Sequence, residues 1–130
     1  MNRRAAREKA LQALFQIDVS EIDPVEAIKH VFEEITPDLF TERLVFGTLE
    51  NQSRIDEYIK PQLVNWTLER IANVDRAILR LAVYEMAFEE DIPVNVSIDE
   101  GIELAKSYGD DHSAKFVNGV LSNVKKALEK

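Results

Sequence analysis

The chain has 130 residues, 45% of them hydrophobic, and a formal net charge of −8 from 16 Lys and Arg against 24 Asp and Glu. That length suits one compact domain with a core of its own. The absence of cysteine excludes disulfides, thiolate metal sites and a cysteine nucleophile, and it fits a reducing cytoplasm; no apolar run is long enough for a membrane span or a secretory signal.

Residues 3–17 read as a first helix, and it is an odd one. Arg3, Arg4, Arg7 and Lys9 crowd the first nine residues beside a single acid, Glu8. At roughly 100° per residue, Ala6, Ala10, Leu11, Ala13, Leu14 and Ile17 form one apolar stripe with Phe15 at its margin. Arg3 and Arg7 point along the middle of that stripe, and Arg4 sits near its edge. Lys9 falls on the opposite face with Gln12 and Gln16. A guanidinium cannot be buried unpaired, so the first turn or two should overhang the core. Cations at a helix N-terminus also oppose its dipole. A phosphate polyanion would explain them, because such ligands bind local clusters of Lys and Arg whatever the net charge. The plainer reading is a solvated terminus whose arginines pair with the chain's own acids.

Asp23-Pro24-Val25-Glu26 marks a second helix start, with an acidic cap and Pro at the first helical position; that helix should run to about Glu34. Thr36-Pro37 repeats the device and should open a long third helix, ended by Pro61. Gly47 inside it suggests a close approach of another helix. A short helix is expected around Trp66–Ile71. The next, from about Asn73 to Glu89, is apolar almost all round through Val74, Ile78, Leu79, Leu81, Val83, Met86 and Phe88, which predicts a central helix. Glu85 shares the direction of Val74, Ile78 and Leu81. A carboxylate there needs a donor, either an internal Arg or Tyr hydroxyl or a basic partner protein.

Asp91 to Val96 reads as an extended connector around Pro93. Ser97-Ile98-Asp99-Glu100 has the pattern of a capping box and should start a sixth helix that stops near Gly109. The last helix should cover Ser113 to Glu129. Its core arc is Phe116, Val117, Val120, Leu121, Val124 and Leu128. Lys115, Asn118, Gly119, Ser122 and Lys126 form the other face, either an ordinary solvated surface or a place where a ligand backbone meets hydrogen-bonding side chains. No segment alternates with period two. The expectation is an all-α, compact bundle of about seven helices in two helical subdomains, 1–60 and 61–130, sharing one core.

Catalytic patterns are missing. His30 and His112 lie in unrelated contexts without metal-ligand spacing, and no phosphate loop or nucleophile elbow occurs. The chain is not expected to be an enzyme or to hold a metal or cofactor.

Three blocks together resemble the NusB family of bacterial transcription antitermination factors. They are Arg3-Arg4-Ala5-Ala6-Arg7-Glu8-Lys9-Ala10-Leu11-Gln12-Ala13-Leu14-Phe15, the stretch from Ile71 to Met86, and the stretch from Ile92 to Gly109 followed by Lys115-Phe116-Val117-Asn118-Gly119-Val120-Leu121. The resemblance runs the length of the chain and is closest to the family's form in Bacillus-like bacteria. It implies an all-helical fold and a heterodimer with NusE, a small-subunit ribosomal protein. That pair would bind single-stranded boxA RNA of ribosomal RNA leaders and join the RNA polymerase antitermination complex. The resemblance makes Arg3, Arg4, Arg7 and Lys9 the prime RNA contacts, and Lys115, Phe116, Asn118 and Ser122 a second RNA surface. Asp75, Arg76, Tyr84 and Glu85 become the face toward NusE, which turns Glu85 toward a partner. Some family members dimerise and others are monomers. The competing expectation, from a different class, is a helical adaptor that binds only protein.

Overall fold

The computed structural model describes residues 1–33 and 35–130. Among them are seven α-helices and no strand: α1 (Arg3–Ser20), α2 (Pro24–Phe32), α3 (Leu39–Glu50), α4 (Gln52–Ile59), α5 (Asn73–Phe88), α6 (Val94–Tyr108) and α7 (Ser113–Ala127), with a 3-10 turn at Lys60–Gln62. No helix is long and apolar enough to cross a membrane.

Local chemistry explains most boundaries. Asn2 caps α1, its side chain accepting from the Ala5 amide at 2.7 Å. Asp23 caps α2 through the Val25 and Glu26 amides, with Pro24 at the first helical position. α2 ends at Phe32, and the expected end at Glu34 lies outside the described residues.

Four expectations fail for physical reasons. α3 opens not at Thr36 but at Asp38, whose carboxylate accepts from the Thr41 amide at 3.0 Å. The expected long third helix breaks at Asn51, whose side-chain amide donates to the Gly47 carbonyl at 2.8 Å and competes with the backbone for it. The segment from Trp66 to Ile71 forms turns rather than a helix. A stretch so short cannot nucleate a helix by itself, and here it serves to plug Leu68 and Ile71 into the core. Finally, α6 begins at Val94, three residues before the expected cap, because Ser97 and Glu100 are engaged within the arginine cluster instead.

α5 is the central helix, packed by α1, α3, α4, α6 and α7. Leu44, Ile55, Ile59, Ile78, Leu79, Leu81, Met86 and Leu121 are fully enclosed. One continuous buried cluster takes side chains from both sides of Pro61.

Candidate nucleic-acid interface

The two anomalies of the sequence answer one another. Arg7 is 4% exposed and Glu85 2%. The Arg7 Nε donates to Glu85 Oε2 and its Nη2 to Oε1, both at 2.8 Å, the fork-on-fork geometry that makes an ion pair strong. The Ser97 hydroxyl donates to Glu85 Oε1 at 3.1 Å. Nη1 of Arg7 lies 3.7 Å from Glu100. Every edge of this guanidinium is therefore engaged inside the chain. Only the first turn stands clear of the core, not the second.

Arg4 and Arg3 are different. Arg4 is held along one edge, Nε to Glu100 Oε2 at 3.1 Å and Nη2 to Oε1 at 3.5 Å. This bond and the charge of Glu100 raise its already high pKa. Its other edge faces solvent. Arg3 makes no ion pair among the described residues; its guanidinium lies 3.8 Å from the centre of the Phe40 ring. Lys9 is half-buried. Ser97 and Glu100, read from sequence as a helix cap, are thus both drawn into the arginine cluster.

On α7, Lys115 and Asn118 are exposed and Ser122 is half-buried, donating to Asn118 at 3.2 Å. Gly119 has open space where a side chain would sit. Phe116 is half-buried: it packs against the core as expected and also lines a surface groove of about 260 Å³ with Trp66, Arg70, Ile71, Asp75 and His112. Glu85 and Asp75 are ten residues apart on α5, about 15 Å along the helix and roughly 80° apart around it, so the arginine tip and this groove lie toward opposite ends of α5.

The residues expected to face a partner do not form one surface. Arg76 bonds Asp18 at 2.7 Å and the Leu68 carbonyl at 3.0 Å. The Tyr84 hydroxyl donates to Glu89 at 2.6 Å, and burial, then this bond, pushes its pKa far above that of an ordinary phenol. Glu85 lies under α1. These side chains radiate from α5 toward different neighbours, as a 100° step requires. Asp75 alone remains. Its Oδ1 is buried with no hydrogen-bond partner among the described residues, and it lines the groove. Burial pushes its carboxyl pKa up; the Asp110 charge adds to this, and Ser113 opposes it.

A raised carboxyl pKa means that the folded chain holds this proton more tightly than the unfolded chain. Stability from this group is therefore complete below the ordinary Asp range and falls as pH rises through the raised value. Asp75→Asn should unfold at a higher temperature than the parent at about pH 7, with the gain vanishing near about pH 3. Melts across that range test it, and a gain that does not depend on pH would refute the assignment. Among the described residues, no group of three His, Cys, Asp or Glu could hold a metal.

Residues 4–126 match the profile of the NusB family. The transcription antitermination protein NusB of Bacillus licheniformis is 67% identical over 129 residues, covering 99% of this chain and 100% of that one. A solved structure of T. maritima NusB is similar, with a TM-score of 0.87 at 42% identity over 97% of this chain and 92% of that one. So is a chain in a crystal structure of the antitermination factors NusB and NusE in complex with dsRNA, with a TM-score of 0.87 at 32% identity over 96% of each chain.

Proposed function

Because the chain belongs to the NusB family, we propose that it is a transcription antitermination factor that binds boxA RNA as a heterodimer with NusE. It acts in the cytoplasm within the RNA polymerase antitermination complex, with no chemistry of its own. The observation that carries this reading is the first turn of α1, where Arg3 and Arg4 are offered to solvent on a helix whose second turn is bolted into the core. Such a mount presents charge in a fixed place, which lowers the cost of ordering it on a phosphate backbone. The base-reading contacts belong on α7, where Lys115, Asn118 and Ser122 lie beside the open surface at Gly119. Arg7 supports the site from below rather than touching the ligand.

NusE is assigned to the groove at the N-terminal end of α5. The Asp75 carboxylate there, whose Oδ1 has no hydrogen-bond partner among the described residues, suits a donor from a basic ribosomal protein, and Trp66, 58% exposed, supplies an apolar anchor beside it. The acidic remainder of the chain limits binding by this protein alone, so the heterodimer should hold RNA much more tightly than either chain. A homodimer covering the same face would compete with both ligands.

Replacing Arg3 and Arg4 together with Ala should abolish most boxA affinity of the heterodimer and leave NusE binding intact. The slope of log K against log salt should become shallower by about 0.7 for each phosphate that is no longer neutralised. A second reading, the protein-only adaptor, draws support from the Arg4–Glu100 pair and the burial of Arg7. It predicts no RNA effect from that double variant, and titrations with and without NusE decide between the two.

A further inference from the structure

Three guanidinium groups gather around one phenylalanine. The Phe40 ring, half-buried at the start of α3, has the Arg3 carbon Cζ at 3.8 Å from its centre, that of Arg43 at 5.2 Å and that of Arg7 at 5.7 Å. Like charges repel, so each needs something to hold it there. Arg7 is held by Glu85 inside the core, Arg43 by Glu89, and Arg3 by the ring itself. We propose that Arg43 is a further phosphate contact for RNA, aligned with Arg3 by Phe40, so that the RNA-binding surface spans α1 and α3. The proposal rests on the RNA-binding reading above.

Orientation carries the argument. Arg43 repeats the geometry of Arg4: Nε bonds Glu89 Oε2 at 3.0 Å, and Nη2 lies 2.9 Å from Oε1. In both pairs the cation stands outside and the carboxylate inside. The side chains of Arg4 and Arg43 are 62% and 53% exposed, against 17% for Glu100 and 10% for Glu89. A phosphate arriving from solvent meets two fixed guanidinium edges before either carboxylate, with the unpaired charge of Arg3 beside them. Glu89 is itself fixed by the buried Tyr84 hydroxyl, so Arg43 does not wander as an unattached surface arginine would. Phe40 serves as a positioning residue: it holds Arg3 by its ring quadrupole and touches no ligand in this arrangement.

The test uses the full chain with NusE and a boxA-containing RNA, titrated over a range of salt. Arg43→Ala should weaken RNA binding roughly three- to tenfold and make the salt slope shallower by about 0.7. Arg43→Lys should keep the slope. Phe40→Ala should weaken binding roughly threefold at an unchanged slope, since no charge is removed, and Phe40→Tyr should restore it. NusE affinity should be the same in all four. Arg43→Ala binding RNA as the parent does, while Arg4→Ala is impaired, would overturn the proposal and leave the RNA-binding reading standing. Loss of NusE binding by Arg43→Ala would also overturn it, assigning Arg43 to a protein contact. Failure of the parent heterodimer to bind RNA at all would overturn both.

Discussion

Glu85→Ala is expected to destabilise the fold by roughly 3–5 kcal/mol, the cost of leaving a buried guanidinium without its counter-charge. Arg7 cannot move to water without taking the second turn of α1 with it, since Ala6 and Ala10 on either side are buried and the Ala6 carbonyl accepts from Thr41 on α3 at 3.2 Å. Glu100 lies 3.7 Å away and could take over part of the load, but only by releasing Arg4. Arg7→Ala should cost a similar amount by stranding Glu85. The double variant Arg7→Met with Glu85→Leu should recover most of the loss, because replacing both charges by apolar groups removes the desolvation burden along with the attraction. Denaturant unfolding of the parent, Arg7→Met, Glu85→Leu and the double variant closes the cycle and gives the coupling directly. Two single variants near parental stability would show that the pair contributes nothing. The same double variant also tests the role of Arg7. If Arg7 only anchors α1, the apolar pair should still bind RNA through Arg3 and Arg4. A stable double variant that has lost RNA would move Arg7 back to the ligand.

This pair also shows how far the residues alone could be read. The helical period exposed both anomalies, three arginines on an apolar stripe and a glutamate on the central helix. It could not show that they meet, because the partners are 78 positions apart and periodicity fixes directions only within one helix. The family resemblance then drew Glu85 toward NusE, while the structure turns it inward. The capping box failed for a related reason. Ser97 and Glu100 have the spacing of a cap, but the Ser97 hydroxyl is spent on the buried Glu85 and the Glu100 carboxylate on Arg4 and Arg7, and α6 starts earlier without them. By contrast, the Asp23-Pro24 start, the end at Gly109 and the central position of α5 were legible, because caps and an all-round apolar surface act locally. The break at Asn51 could have been suspected from an Asn four residues after a Gly in a long helical stretch. Phe40 and Arg43 carried no signal of their own; only the packing of α3 against α1 brings them to the arginine tip.

Gly47→Ala is expected to be the most damaging small substitution outside the charged core. α3 crosses α5 at this residue, and a Cβ there would fall within the Tyr84 ring. That ring has no freedom to yield: it is buried, its hydroxyl is bound to Glu89 at 2.6 Å, and it stacks on Phe88 with centroids 5.9 Å apart. Alanine would ordinarily strengthen a helix by about 1 kcal/mol over glycine, so a net loss has to come from overpacking, which costs about 1–3 kcal/mol or more. Tyr84→Leu makes room, and in that background Gly47→Ala should be neutral or stabilising. A double-mutant cycle isolates this coupling, and a stabilising Gly47→Ala in the parent would refute the close approach. The consequence reaches the RNA surface. Tyr84 holds Glu89 and Glu89 holds Arg43, so displacing the ring should loosen Arg43 while leaving Arg3 and Arg4 in place. Gly47→Ala measured well below its melting temperature should then bind RNA about as weakly as Arg43→Ala, but with the parental salt slope, because the charge is still there and only its position is lost.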